Sequence, residues 1–288
     1  MRKLVYILLT LLLCNFGIAH AQQVVHKVSK QVSKKYPAEI NELTLIGEKA
    51  AITIIGWDKN FIEIKVSFIS RNTDRQKAVE EINFIKFEDQ KKASELILKN
   101  YFDGKSTRIT GNLSTEYQIS MPRAISLNLQ NLYGKIELRN LNNKISSTVS
   151  FGSIDLQNCN GAITIQNNYS NLTGNQIIGS LTCRAQKSDI KLINVDAEVN
   201  IESKYGEINL QLSGNQHPVD LNCHRSAVIV FIPKQAFNYQ LKTLNNTITI
   251  PNKEVILTDQ YQFEVAKNVS TININTSYCP INISYEKP

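Results

Sequence analysis

The residues best suited to chemistry are few. After residue 21 the chain contains Cys159, Cys183, Cys223, Cys279, His26, His217 and His224. They show no metal-ligand spacing, and neither H-E-x-x-H nor G-x-S-x-G occurs. Cys223 and His224 are adjacent, but neighbouring residues of a strand point to opposite faces, which disfavours a catalytic dyad. The sequence therefore predicts no catalytic, cofactor-binding or metal-binding residue.

A second set of polar residues would suit a polysaccharide lyase or hydrolase built on a sheet face. Asp155, Asp189, Lys191 and Glu207 occupy outward positions of predicted strands. Alternating charges on a solvated face are the simpler interpretation, and the outward positions offer no aromatic shelf for stacking on sugar rings. We expect a protein that is not an enzyme, with a polysaccharide-active enzyme as the alternative.

The strands that carry these residues repeat along the chain. A long residue followed by a small one recurs eight times. The first five markers are 18 residues apart, the next two follow at 20, and the last follows an insertion of about a dozen residues: Tyr133-Gly134, Phe151-Gly152, Tyr169-Ser170, Lys187-Ser188, Tyr205-Gly206, Arg225-Ser226, Asn245-Asn246 and Tyr278-Cys279. Three positions after each marker the residue is apolar: Ile136, Ile154, Leu172, Ile190, Ile208, Val228, Ile248 and Ile281. Polar residues alternate with the apolar ones, so each unit is interpreted as two short strands joined by a corner at the small residue.

A single unit of this kind cannot bury its apolar face, whereas stacked units bury a continuous column. The constant step predicts an all-β parallel β-helix, or β-solenoid, with rungs of 18–20 residues over 123–288. A two-sheet antiparallel β-sandwich is the alternative, because alternation alone fits both. Asparagines are expected at the corners, with left-handed backbone and hydrogen bonds between rungs: Asn131, Asn167, Asn171, Asn245 and Asn246.

Residues 41–122 are interpreted as a cap on the N-terminal end of the stack. Leu45, Ile52, Ile54 and Trp57 fit the template of an early rung. Thr73-x-x-Gln76 has the form of a capping box and predicts a short helix over 74–83. Strands are expected at 61–68, 96–101 and 117–121, and the insertion at 251–272 is expected to cover the other end.

The cysteines are expected to remain unpaired, although an even number in an exported chain suggests disulfides. Cys159 takes the core position of Leu141, and Cys183 and Cys223 also fall on inward positions. In chain order their rungs lie two steps apart, roughly 10 Å along the stack. This exceeds the ~4.4–6.8 Å between the Cα atoms of a disulfide. Buried free thiols are therefore predicted.

The first 21 residues have the pattern of a signal peptide. Met1-Arg2-Lys3 is basic, residues 4–16 are apolar, and Ala19-His20-Ala21 is an A-x-A cleavage site. An uncleaved anchor and a lipoprotein modified at Cys14 are the alternatives. We expect an exported protein of the periplasm, cell surface or extracellular space, with no integral membrane span after cleavage.

Cleavage would remove Arg2 and Lys3 and lower the formal net charge from +7 to +5. The densest basic run is Lys27, Lys30, Lys34 and Lys35, and residues 22–40 are interpreted as a basic flexible segment. Contact of this run with an anionic membrane surface or polysaccharide is the alternative. No nucleic-acid partner is expected, because no aromatic and basic platform is present.

With the repeat defined, residues 40–286 resemble the bacterial putative-adhesin family of exported β-strand-repeat proteins of unknown function. The resemblance lies in Ile52–Asn60 followed by Ile62 and Ile64, in Tyr117–Pro122, and in the recurring Tyr/Phe-Gly-x-Ile-x-Leu units. Lys49-Ala50 departs from the usual Tyr-Gly, and Cys279 replaces a glycine.

This resemblance implies a right-handed parallel β-helix in the cell envelope. We accordingly expect a non-catalytic, adhesin-like protein that binds a glycan or an envelope protein through a sheet face. No cofactor is expected, and the end caps favour a monomer.

Overall fold

The protein is described by a computed structural model over residues 24–37, 39–103, 109–213, 217–244, 246–252, 259–267 and 269–285. The chain is all-β, with its strands in one mixed sheet and one short α-helix in the described part. The expected signal peptide at 1–21, Cys14 and Asn245 lie outside the described residues.

The first seven strands and the helix form the N-terminal part: β1 (His26–Pro37), β2 (Glu42–Glu48), β3 (Ala50–Trp57), β4 (Phe61–Asn72), α1 (Arg75–Glu81), β5 (Ile85–Lys92), β6 (Glu95–Phe102) and β7 (Asn112–Pro122). A short 3-10 helix, Ile82–Phe84, follows α1. The remaining strands are β8 (Ser126–Leu141), β9 (Ile145–Asn168), β10 (Asn171–Gln186), β11 (Ile190–Leu212), β12 (Val219–Ile232), β13 (Asn238–Lys242), β14 (Ile248–Thr249), β15 (Gln260–Phe263), β16 (Thr271–Asn275) and β17 (Ile281–Tyr285).

Strands β8 to β12 pair in parallel, each shifted from the last by one repeat. Ile136 lies opposite Ile154 and Leu172 opposite Ile190, and Ile208 pairs with Val228. The apolar column predicted three positions after each marker is therefore confirmed, and its described members are no more than 1% exposed. The early rung is confirmed as well, because Ile52 in β3 pairs with Ile136.

The spatial order of the rungs departs from the chain order at both ends. The unit of β16 and β17 packs on β12, where Val228 pairs with Ile281, and β13 and β14 pair with the far side of that unit. Similarly, β2 and β3 lie between β8 on one side and β6 and β7 on the other. The distances predicted between the cysteines took the rungs in chain order, whereas the unit containing Tyr278 lies between β12 and the unit of β13 and β14.

The sharp corner occurs one residue earlier than predicted. The marker residues themselves have left-handed backbone, with φ between 50° and 65° at Tyr133, Phe151, Tyr169, Lys187, Tyr205, Arg225 and Tyr278. The next residue is small because the rung below lies against it. A Cβ on Gly152 would stand 1.9 Å from the carbonyl oxygen of Gly134, and one on Gly134 would stand 2.0 Å from that of Ala50. Close approach of backbones therefore selects the small residue.

The asparagines with left-handed backbone are not those predicted. Asn140, Asn158 and Asn194 form a second corner seven residues after the first, and Asn252 is left-handed as well. The Asn158 amide donates to Oδ1 of Asn140 at 2.8 Å. Asn131, Asn167, Asn171 and Asn246 lack left-handed backbone, although Asn131 and Asn171 do bond to another rung.

The basic N-terminal segment is a strand, contrary to the expected flexibility. Val28, Val32 and Tyr36 in β1 alternate with lysines and pack against the core, and β1 pairs antiparallel with β4. The Lys34 ammonium contacts the Asp89 carboxylate at 2.5 Å and joins β1 to β5. Lysines suit such an outer strand, because they discourage pairing with another chain.

The rest of the N-terminal cap agrees with expectation, except that the helix has a different N-cap residue and that one strand was not predicted. The helix is present, but its N-cap is Asp74, whose carboxylate accepts from the amides of Gln76 and Lys77, so Thr73 is not the cap. The strands near 61–68, 96–101 and 117–121 are confirmed as β4, β6 and β7. Strand β5 was not predicted. In the 251–272 insertion, β15 pairs antiparallel with β13.

Candidate binding surface

One flat side of the parallel ladder carries a dense set of exposed polar side chains. They alternate with core residues on the strand segments before the first corner, and we call them the amide face: Gln166, Asn168, Arg184, Gln186, Asn200, Glu202, Lys204, Asp220, Asn222, His224, Asn273 and Asn275. Seven of these twelve are asparagine or glutamine. Each amide offers both hydrogen-bond donors and acceptors, and so does a sugar hydroxyl.

The amide face is not smooth. A depression of about 380 Å³ crosses four rungs and is lined by Arg184, Glu202, Lys204, Asn222 and His224, with Gln166 and Asn168 at one end and Gln186 beside Arg184. A second depression of about 340 Å³ shares Glu202 and Asn222 with the first and continues to Asn275. Together they form a trough that runs along the stacking direction, across the strands.

Charges of both signs line the trough, namely Arg184, Lys204, Glu202 and Asp220. Arg184 Nε contacts Glu202 Oε2 at 3.2 Å, so this pair is neutral as a whole. Lys204 lines the same depression, and Lys187 and Arg225 lie on the adjacent corner. These three cations have no acidic partner among the ion pairs of the described residues. They outnumber Asp220, so the trough and its adjacent corner together carry a positive excess.

The corner next to the amide face carries a stack of aromatic and cationic side chains. The rings of Tyr133 and Phe151 stack at 5.1 Å, and those of Phe151 and Tyr169 at 5.2 Å. Lys187 Nζ then lies 4.9 Å from the Tyr169 ring, and Arg225 lies between the rings of Tyr205 and Tyr278 at 5.9 and 5.8 Å. We call this set the corner stack.

The rings of the corner stack pack on one another. Tyr133, Phe151 and Tyr169 are each close to half exposed, and Phe151 stacks on both of the other rings. The prediction that the outward positions hold no aromatic shelf was therefore incomplete, because aromatic residues are present at the corner. Their contacts with each other stabilise the stack of rungs.

One polar contact lies within the corner stack, and another lies where the stack meets the trough. Lys187 Nζ donates to Tyr169 Oη at 3.0 Å, and this hydrogen bond raises the pKa of Lys187 above its ordinary value. The imidazole of His224 contacts Ser277 Oγ at 2.7 Å and packs edge-on against the rings of Tyr205 and Tyr278. Lys187 is therefore charged, and His224 is held between two rungs at the rim of the trough.

The residues considered for catalysis do not assemble at the trough. Asp155, Asp189, Lys191 and Glu207 follow the first corner and do not line it. Asp155 accepts from Gln157 and Thr173, and Asp189 accepts from the backbone amide of Glu207. The two aspartates thus bond to neighbouring residues of the ladder.

The cysteines and histidines form no metal site in the described part of the chain, where no three His, Cys, Asp or Glu side chains converge. Cys159, Cys183 and Cys223 are buried, and the four cysteines after residue 21 are unbonded. Burial raises the pKa of Cys159 to about 11 and that of Cys183 to about 12. These two thiols are therefore protonated near neutral pH.

No family profile and no curated protein sequence matches the chain. Among solved structures, a "Putative lipid binding protein" from Parabacteroides distasonis is 12% identical, covers 91% of this chain and 97% of its own, and gives a TM-score of 0.44. A "putative adhesin" from Parabacteroides merdae is 10% identical, with coverages of 90% and 97% and a TM-score of 0.43. A "putative cell adhesion protein" from Clostridium sporogenes is 14% identical, with coverages of 91% and 100% and a TM-score of 0.29. At these identities and TM-scores the matches do not indicate what this chain binds.

In the described residues no helix is long and apolar enough to cross a bilayer, the α-helix having seven residues.

Proposed function

We propose that this chain is an exported, non-catalytic binding module that holds an extended acidic glycan in the trough of the amide face. The observation that carries the proposal is the trough itself, which crosses several rungs and is lined by amides and Lys204, with Lys187 and Arg225 on the adjacent corner. The parallel ladder is proposed to coil as a right-handed β-solenoid, in preference to the two-sheet sandwich.

The spacing of the amide face suits a repeating polymer. Neighbouring rungs place equivalent side chains about 4.8 Å apart, so Gln186, Lys204 and His224 form a regular row along the stacking direction. A glycan lying along this row would meet a donor or acceptor at each rung. The depression volume of about 380 Å³ also falls within the range of small-molecule sites.

The charge of the trough selects among glycans. Lys204, Lys187 and Arg225 would attract carboxylate, sulfate or phosphate substituents, and charge-assisted hydrogen bonds are the stronger ones. Neutral glycans would gain only the amide contacts. Acidic glycans are therefore the proposed ligand class, and binding should weaken as salt rises.

The experiment is a binding titration of the chain from residue 22 against acidic and neutral polysaccharides of matched length. Acidic polymers should bind more tightly, and Lys204→Gln should weaken their binding by about tenfold or more, because a charge-assisted contact contributes ~1.5–3 kcal/mol. Lys191→Gln is the matched control, since Lys191 is exposed but lies after the corner. Equal binding of neutral and acidic polymers, or equal effects of the two variants, would refute the proposal.

The same titration addresses the alternative of a polysaccharide-active enzyme. Turnover of a bound polymer, lost on Asp155→Asn or Lys191→Gln, would favour catalysis on the strands that follow the corner. The proposal expects the polymer to be recovered intact after long incubation, as measured by size-exclusion chromatography.

A further inference from the structure

The C-terminal unit brings two distant cysteines onto adjacent rungs. Asn222 pairs with Asn275 and Val228 with Ile281, so both strand segments of this unit have the same offset from β12. This register sets Cys223 two positions before the corner of one rung and Cys279 directly after the corner of the next. The expectation that the cysteines lie two rungs apart was wrong for this pair, because it assumed chain order.

The preceding pair of rungs shows how close these two positions are. Ser203 stands two positions before the corner of its rung, and Ser226 directly follows the corner of the next. Their Oγ atoms lie 3.1 Å apart, and both residues are buried. A cysteine Sγ occupies the same branch position as a serine Oγ, so the register predicts the same proximity for Cys223 and Cys279 one rung further along.

We infer that Cys223 and Cys279 are a disulfide pair, which closes when the chain folds in an oxidising compartment. Burial and, to a smaller extent, the Cys279 thiol raise the pKa of Cys223 to about 12, and the electrostatic effect of Cys279 requires the two sulfurs to be near each other. Cys279 is only partly buried, and Arg225 opposes the rise of its pKa. Cys279 is therefore the thiol that reacts first.

The reaction balances as thiol–disulfide exchange with a protein or small-molecule disulfide as oxidant. The Cys279 thiolate attacks one sulfur of the oxidant and releases its first thiol, which leaves a mixed disulfide. The Cys223 thiolate then attacks Cys279 Sγ and releases the second thiol. Two protons leave the chain, two electrons pass to the oxidant, and one S–S bond forms. Because Cys223 is 5% exposed in the folded chain, the second step belongs to folding, before the unit is fully docked.

The bond would secure the unit that is inserted out of chain order. β16 and β17 lie between β12 and the pair β13 and β14, and the loop that leads to them is long. A disulfide across that loop restricts the unfolded chain most. Cys159 and Cys183 occupy other columns, paired with Leu141 and Ile201, and serve as internal controls.

The test uses the full chain exported with its own leader to an oxidising periplasm, and in parallel the reduced, denatured chain refolded with glutathione disulfide. Free thiols are alkylated under denaturing conditions, and peptides are mapped by mass spectrometry. The expected result is a linked peptide pair that contains Cys223 and Cys279, with Cys159 and Cys183 alkylated. Alkylation of all four cysteines after both treatments, or any other pairing, would overturn the inference.

A second measurement, of Tm in the oxidised and reduced states, distinguishes loss of the disulfide from a general folding defect of the variant. Cys279→Ser should lower the Tm of the oxidised protein by roughly 5 °C, and the difference should vanish when both proteins are compared reduced. Cys183→Ser should give the same Tm change in either state. An equal effect of Cys279→Ser on oxidised and reduced protein would also contradict the disulfide.

Discussion

The rings of Tyr133 and Phe151 stack at 5.1 Å with 18° between their planes, although the residues are 18 positions apart in the chain. Both residues have left-handed backbone, with φ of 65° and 56°. This conformation costs an ordinary residue roughly 1–2 kcal/mol. The stacking of the rings on adjacent rungs offsets that cost, so the same residue makes the corner and stabilises it.

Phe151→Ala should therefore destabilise the protein without affecting glycan binding. Phe151 contacts two rings, and each aromatic pair contributes ~0.5–1.5 kcal/mol, so the free energy of unfolding should fall by about 1–3 kcal/mol. Chemical denaturation measures this change. Ile178→Ala is the control, because Ile178 is also exposed but lies outside the corner stack. Unchanged stability together with weaker glycan binding would show that the ring contacts the ligand instead.

The small residue after the corner can be tested by comparing alanine substitutions at two glycines. Gly152→Ala would place a Cβ 1.9 Å from a backbone oxygen, and we expect a loss of ~3 kcal/mol or more in the free energy of unfolding. Gly174→Ala would meet only the end of the Leu192 side chain, at 2.8 Å, which can rotate away. That control should change stability by less than ~1 kcal/mol. If the two variants lost similar amounts of free energy of unfolding, the close approach of two backbones would not be the reason for a glycine at position 152.

The sequence was sufficient to predict the interior of the ladder. The columns through Ile136, Leu138 and Leu129 follow from alternation combined with a constant step, and both are local properties that survive folding. The position of the C-terminal unit could not be predicted in this way. Its register fits several neighbours equally well, and only three-dimensional packing places Ile281 against Val228.

The amide face could be predicted from the sequence only in part. Gln166, Arg184 and Glu202 recur at 18 residues, but recurrence alone does not show that they flank a depression. That depends on how the strand turns at Tyr169 and Tyr205, whose left-handed backbone sets the corner beside the face. A more useful signal would have been the marker residues themselves, because five of the eight are aromatic and exposed.

A buried asparagine tests whether polar atoms without hydrogen-bond partners destabilise the interior of the ladder. Asn167 is 1% exposed, and within the described residues neither its Oδ1 nor its Nδ2 has a hydrogen-bond partner. Asn167→Val should raise the free energy of unfolding by about 1–2 kcal/mol, because it removes two unsatisfied groups. Thermal and urea denaturation measure the change.

Asn131→Val is the matched control, since Asn131 occupies the same column but donates to the carbonyl oxygen of Ala50 at 2.8 Å. Its replacement should destabilise the protein by ~1–3 kcal/mol. If both variants shift stability in the same direction, hydrogen bonding does not distinguish the two sites.

Glu81 provides a prediction of how the stability of the protein changes at acid pH. Its carboxylate is buried at the end of α1 and accepts from Asn72, from the amide and hydroxyl of Thr110, and from the amide of Gly111. Burial alone would raise the pKa of Glu81, but these hydrogen bonds more than offset it and hold the pKa below its ordinary value. The pKa is thus lower in the folded than in the unfolded state. The stabilisation is complete above the unfolded value of about 4.3 and is lost as the pH falls through the folded pKa.

Glu81→Gln should lower the free energy of unfolding by ~2 kcal/mol at pH 7, because hydrogen bonds to a charged acceptor are the stronger ones. The difference from the unsubstituted protein should shrink as the pH falls below about 4, where the carboxyl itself becomes neutral. Glu80→Gln, on the exposed side of the same helix, should change stability little at either pH. Urea denaturation from pH 7 to pH 3 measures both effects. A difference between Glu81→Gln and the unsubstituted protein that does not depend on pH would mean that the shape of the side chain matters at this site, rather than its charge.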